Sequence, residues 1–214
     1  MHHTPGMYVG TSTEFLGRRP IPLEIRGRYA AVVLGPSGAG KSEVARRLVT
    51  LGVDGLPVLT WAPSDLDREA SQRARRGRWS TASLAAPALL IDEPVWLGTR
   101  RGVFRQVCEL VALRAAAEHR TVLIQREGDT SAEEVVKAMA PGSIVTIALR
   151  FPSAPRGRVR FARRLCDELG VPRSAAKDCE RLDPWRYDAV RALVMERAGL
   201  LSAAPTPSAV QITP

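Results

Sequence analysis

The sequence predicts an α/β fold: a mainly parallel central sheet flanked by helices, in three layers. Three observations carry that prediction. Short apolar runs alternate with helix-periodic stretches through the middle of the chain, a glycine-rich turn joins the first run to the first helix, and polar or acidic residues stand at the downstream ends of two later runs. Strands buried on both faces read as near-continuous apolar segments, and the helices between them supply the crossovers a parallel sheet requires.

The elements follow in order. Residues 1–20 carry Gly, Pro and Thr with little periodicity and read as an N-terminal arm; His2 and His3 are too few for a metal site. Residues 29–34 (YAAVVL) read as a buried strand stopped by glycine, and 42–51 as a helix with Val44, Leu48 and Leu51 on one face. A second strand is expected over 56–61 (LPVLTW), a polar, arginine-laden segment over 65–79, and a third strand over 87–91 (PALLI), ended by Asp92, Glu93 and Pro94. Then come a long helix over 101–118, a strand over 121–125 (TVLIQ), a helix over 131–139 and a strand over 143–149 (SIVTIAL). Helices over 158–169 and 184–198 close the fold, and 202–214 (SAAPTPSAVQITP) reads as a flexible tail.

Composition sets the frame for these elements. With 214 residues, 45% hydrophobic and 25% charged, the chain suits one domain over 21–201 whose core needs neither disulfides nor a structural metal. No apolar run approaches the roughly 18–20 residues that span a bilayer, and no basic-then-apolar signal opens the sequence, so a cytoplasmic protein is expected. The formal charge is +9. Lys41, Lys137 and Lys177 are the lysines, so arginine carries nearly all of the positive charge. That excess points to a polyanionic partner, nucleic acid before membrane, because guanidinium pairs well with phosphate. Arginines cluster at 68–78 and at 156–164; either cluster serves as a solvated helix face or as a contact for phosphates. Cys108, Cys166 and Cys179 are scattered and odd in number, which fits buried thiols in a reducing compartment.

The strongest chemical signal is Gly35-Pro36-Ser37-Gly38-Ala39-Gly40-Lys41-Ser42, a full GxxxxGK[ST] motif between a strand and a helix. Glycines let backbone N–H groups curl around phosphates, and the helix N-terminus adds its partial positive charge. Together with Glu43, these residues form the expected ATP cradle, with Lys41 reaching the β- and γ-phosphates and the Ser42 hydroxyl ligating Mg²⁺. Asp92, after the apolar run Leu89-Leu90-Ile91, is placed to hold the Mg²⁺ shell, and Glu93 is the group to polarise an attacking water. Gln125, polar at the end of another apolar run, is placed beside the P-loop, where it can touch the γ-phosphate or that water. The class expected is a P-loop NTPase (RecA/ASCE-like) with one strand inserted between the P-loop and Asp92 strands.

The order P-loop, LLIDE, long helix, then TVLIQ and Arg126 resembles the FtsK–HerA superfamily of ATP-driven DNA pumps, from about residue 29 to 151. In size and layout the chain is similar to the genome-packaging ATPases of tectivirus-like viruses. The resemblance implies a homo-hexameric ring moving double-stranded DNA without sequence preference, with portal or capsid-vertex proteins as partners and a location in the host cytoplasm or at a virion vertex. It also implies an arginine finger near the end of the long helix, which at the family's spacing before Gln125 is Arg114, acting on the neighbouring subunit's nucleotide. Other readings stay open. The Asp92 strand reads like that of transporter-type ATPases, which carry an LSGGQ loop and a longer span from the P-loop; neither is present here. The stretch 35–48 also resembles HPr-kinase-like and nucleotide kinases, with the arginines at 156–164 as a phosphate-gripping lid, and an AAA+-like regulatory ATPase acting on protein is a further alternative.

Overall fold

In the order of the chain, strand β1 (Met7–Gly10) and the short helix α1 (Ser12–Leu16) precede β2 (Ala30–Gly35), α2 (Lys41–Thr50), β3 (Val58–Trp61) and α3 (Pro63–Arg76). They are followed by α4 (Thr81–Ala85), β4 (Ala88–Ile91), α5 (Arg101–Ala116), β5 (Arg120–Arg126) and β6 (Ile144–Leu149), then by α6 (Pro155–Leu169), two 3₁₀ turns (Arg173–Ala176 and Cys179–Arg181) and α7 (Tyr187–Arg197). The structure is a computed structural model that describes residues 7–16, 29–50, 56–92, 101–126 and 144–200. It divides into two compact units, Met1–Phe151 and Pro152–Pro214, where the sequence predicts one domain over 21–201.

The first unit holds a six-stranded sheet in the order β1-β6-β2-β5-β4-β3, and every neighbouring pair is parallel. β5 lies between the P-loop strand β2 and the Asp92 strand β4, as the class read from the sequence requires. The apolar runs are continuous because both faces of the sheet are covered. Val33, Leu90, Val122, Ile124, Ile147 and Leu149 face the layer of α2, whose Val44, Ala45, Leu48 and Val49 are buried against them. On the other face Val32, Leu89, Ile91 and Leu123 meet Val107, Leu110 and Val111 of α5, with Leu66, Trp61 and Trp79 completing that layer. The Trp61 and Trp79 rings stack at 6.3 Å. Each fully buried Leu or Ile contributes about 1.5–3 kcal/mol, and the two layers fix the sheet from both sides.

The segment expected as an arm is in part structured. β1 pairs with β6 from Met7 opposite Thr146 to Gly10 opposite Leu149, and α1 packs on α2. The local cause is a Thr-x-x-Glu pattern: the Thr11 N–H donates to Glu14 Oε2 at 2.8 Å, which satisfies an otherwise orphaned donor and starts the helix. The arginine-laden segment is helix α3, begun by Pro63 in its first turn and by Asp65 accepting from the Ala62 N–H at 3.0 Å, and stopped by Gly77 in the left-handed conformation. The helix expected over 131–139 and the tail over 202–214 lie outside the described residues.

In the second unit, α6 buries Phe161, Ala162, Leu165 and Cys166. Phe161 meets the rings of Trp185 and Tyr187 edge-on, and Trp185 Nε1 donates to Cys179 O at 3.0 Å. Cys166 and Cys179 are free and buried, as expected, and Cys108 is half-buried on α5. No helix among the described residues is long and apolar enough to cross a membrane.

Candidate nucleotide site

An all-parallel sheet gathers the downstream ends of its strands at one edge, and ligands of such sheets bind outside that edge. Here the edge carries the P-loop after β2, Asp92 after β4, and Gln125 and Arg126 at the end of β5. The register shows how near they stand: Leu34 is opposite Gln125 and Gly35 opposite Arg126, while Ile91 is opposite Leu123. Adjacent strands run about 5 Å apart, so Gln125 is one strand step from the P-loop strand and Asp92 two.

The loop has the form that phosphate binding needs. Gly38 and Gly40 take φ of 77° and 82°, which a residue with a Cβ adopts only at a cost, and the turn between them aims backbone N–H groups inward. Gly35 is required for a different reason. A Cβ there would stand 3.0 Å from both the Cβ and the carbonyl oxygen of Leu149, so only glycine lets β2 and β6 approach at the loop's root. Lys41 opens α2 as a buried side chain whose Nζ donates to Pro36 O at 3.0 Å, which folds the ammonium back across the loop. Ser42 follows, half-buried. The Glu43 carboxylate accepts from Arg46 Nη1 at 3.3 Å.

Asp92 remains in the ladder: its N–H donates to Trp61 O at 2.9 Å, which holds it directly beyond β4. Glu93 lies outside the described residues. Gln125 is 1% exposed, a polar group embedded at the sheet edge. A residue not singled out as a site is Arg126, exposed and aligned with the first P-loop glycine. The sequence marks it as the residue after Gln125, and strand register adds its alignment with Gly35. The Thr11–Phe15 segment, expected as part of the arm, stands at the same edge beside β6, where the Arg150 N–H donates to Gly10 O at 2.9 Å. The Thr-x-x-Glu pattern was the available clue.

Arg114 corrects the expectation of a finger. It is 0% exposed, and its guanidinium donates through Nε to Thr121 Oγ1 at 2.9 Å, through Nη2 to Arg120 O at 2.8 Å and through Nη1 to Ser83 O. Burial lowers its pKa to about 10, so it stays cationic at neutral pH. The helix α5 ends where β5 begins, so Arg114 belongs to the sheet edge opposite the P-loop and is wholly enclosed there. The physical reason is topological: in a crossover helix, the residues just before the next strand return to the upstream edge. Arg114 ties α5 to α4 and to the start of β5.

The first arginine cluster is also partly structural. Arg68 pairs with Asp65 at 2.7 Å, and Arg73 with Glu109 of α5 at 3.2 Å. Arg75 and Arg76 are exposed in the last turn of α3, where a helix dipole favours cations.

No family model matches the sequence. Over 115 residues the chain is 37% identical to PhnC, a phosphonates import ATP-binding protein of Anaeromyxobacter dehalogenans (strain 2CP-C). That match takes in 49% of this chain and 22% of that protein, so the similarity reaches only a fraction of the relative's length. Among solved structures, domain III of the Thermotoga maritima replication initiation protein DnaA superposes with a TM-score of 0.54 at 17% identity, over 85% of this chain and 84% of that one. AMPPCP-bound DnaA of Aquifex aeolicus gives 0.56 at 12% identity, over 78% and 55%. A Thermotoga maritima RuvB gives 0.51 at 14%, over 80% and 55%. The chain has a P-loop NTPase fold.

Proposed function

We propose that the chain is a Mg²⁺-dependent ATPase that acts on DNA, binding and hydrolysing ATP at the downstream edge of the sheet. The observation that carries the reading is the convergence there of a formed P-loop, Asp92 and the buried Gln125. The loop amides and Lys41 bind and orient the phosphates. Ser42 and Asp92 would hold Mg²⁺, which when bound neutralises charge on the phosphate oxygens. The fit is chemical: an ion that keeps several waters and takes substrate oxygens needs only one or two protein ligands, and among the described residues no larger acidic or histidine cluster competes for it. Glu93, next to Asp92 in the sequence, orients the attacking water and accepts its proton, and Gln125 senses the γ-phosphate across the gap from β2.

The DNA part rests on the net charge of +9 and on fold neighbours that include a replication initiator solved with AMPPCP and single-stranded DNA. An AAA+-like ATPase working on DNA fits this arrangement without a finger at Arg114. A ring translocase of the FtsK–HerA kind, hexameric on duplex DNA and docked on a portal or capsid vertex, is the second reading, favoured by the Gln125–Arg126 pair at the end of β5.

Two variants test the chemistry. Lys41→Ala is expected to abolish measurable ATP binding. Glu93→Gln is expected to keep ATP affinity and lose turnover by about 10²–10⁴-fold, the usual worth of a positioned base. Turnover within tenfold of wild type in Glu93→Gln, or a phosphorylated small molecule formed from ATP, returns the chain to the kinase reading. ATP-driven displacement of a third strand from duplex DNA separates the translocase from the AAA+-like form, which binds DNA without stripping it.

A further inference from the structure

A groove of about 730 Å³ runs along α6, lined by Arg156, Arg160, Arg163 and Arg164 of the helix and by Arg173 of the turn after it. Positions 156, 160 and 163 recur at the spacing that stacks side chains on one helix face. The opposite face is apolar and buried, and Arg158 is sorted to that side. Its guanidinium sits 5.7 Å from the Trp185 ring centroid and donates through Nη1 to Glu180 O at 3.3 Å. The helix thus separates one structural arginine from those that line the groove.

Arg156, Arg160 and Arg163 are exposed, and their side chains make no ion pair or hydrogen bond with any described residue. Neither carboxylate of the groove pairs with these three arginines. Asp167 accepts both Nε and Nη2 of Arg173 at 2.8 Å, and Glu180 lies 4.0 Å from Arg181. Like charges at three- and four-residue spacing repel, so this face costs stability until an anion spans it.

We propose that the groove binds the phosphodiester backbone of nucleic acid without reading its bases. Planar guanidinium forks grip phosphate oxygens in pairs, and a row of them along a helix follows a chain of phosphates better than a single one. No aromatic side chain lines the groove to stack a base, and its apolar lining is confined to Pro155 and Val159, too little to enter a lipid surface. The partner rests on the DNA part of the proposed function; the groove itself does not depend on the nucleotide site.

The test is fluorescence anisotropy of the full chain with a labelled duplex and with oligo-dT across a salt series. It compares wild type, the triple variant Arg156→Ala/Arg160→Ala/Arg163→Ala, and Arg75→Ala/Arg76→Ala on α3. The triple variant is expected to bind at least about tenfold more weakly and to lose about 0.9 from the log–log salt slope per phosphate contact removed, with its circular dichroism and DNA-free ATPase unchanged. The α3 variant is expected to bind like wild type. If the α3 variant loses binding and the triple variant does not, DNA binding stands and the groove assignment fails. If wild type binds neither probe, both readings fail. Capture by phosphatidylserine vesicles in preference to DNA, lost in the triple variant, makes the groove a membrane contact and overturns the proposal. A fall in DNA-free ATPase in the triple variant assigns these arginines to nucleotide chemistry and overturns it as well.

Discussion

Arg114 shows how far a spacing argument reaches for a single residue. Its position eleven residues before Gln125 was legible, and so was the helix that carries it; which end of the sheet receives it depends on chain direction, and direction places it opposite the P-loop. The enclosed guanidinium satisfies two carbonyl oxygens and a hydroxyl, and Arg114→Ala strands all three in a dry interior. With about 1–3 kcal/mol for each unpaired buried group, the expected loss is about 3–5 kcal/mol, or roughly 10 °C in thermal midpoint for a chain of this size. Calorimetry checks it, and ATP affinity of the molecules still folded is expected to match wild type. A midpoint within about 2 °C of wild type would remove the strut role. Cys179 gives a second residue-scale expectation. Burial raises its thiol from 9.0 to about 11, so the folded form holds the proton more tightly than the unfolded form does. The stability this contributes is fully present below pH 9 and is lost as the pH rises through about 11. The decline in midpoint over that window is expected to be shallower in Cys179→Ala.

Among the elements, the buried strands were the most readable. β2, β4, β5 and β6 are apolar on both faces because helices cover both, so their runs stand out without alternation. β1 was not readable, being four residues long between glycine-containing segments. α3 stands out in the sequence as charge, which leaves its arginines open between a solvated face and phosphate contacts; in the structure Asp65 and Glu109 hold two of them. The site followed the same division. The P-loop announced itself because a phosphate cradle is local in sequence, whereas the pairing of Arg126 with Gly35 is set across strands. Gly35→Ala tests that junction. With Leu149 at 3.0 Å, the added methyl must push β2 from β6 at the root of the loop. Overpacking of this kind costs about 1–3 kcal/mol, and ATP affinity is expected to fall with it, measured by titration with a fluorescent analogue. Unchanged affinity and stability would show that the sheet yields there without moving the loop.

For the whole molecule, the class of fold was legible in the alternation of apolar runs and helices. The break at residues 151–152 lies between a strand and a helix-rich stretch, with one proline and no long linker to mark it. The strand order has a consequence in time. Among the described residues β1 precedes every other strand and its partner is β6, so Met7 waits for Thr146. At roughly 5–20 residues per second of synthesis, β1 stays unpaired with β6 for about ten seconds or more, while β2, β4 and β5 can already assemble. Non-local parallel pairings of this kind form slowly, and an unpaired edge is the part of a nascent chain most open to association with another. The shortness of β1 limits that exposure. Pulsed hydrogen exchange during refolding is expected to protect the amides of 7–10 after those of 30–35 and 121–125, so the earliest of the described strands is the last to be placed in the sheet.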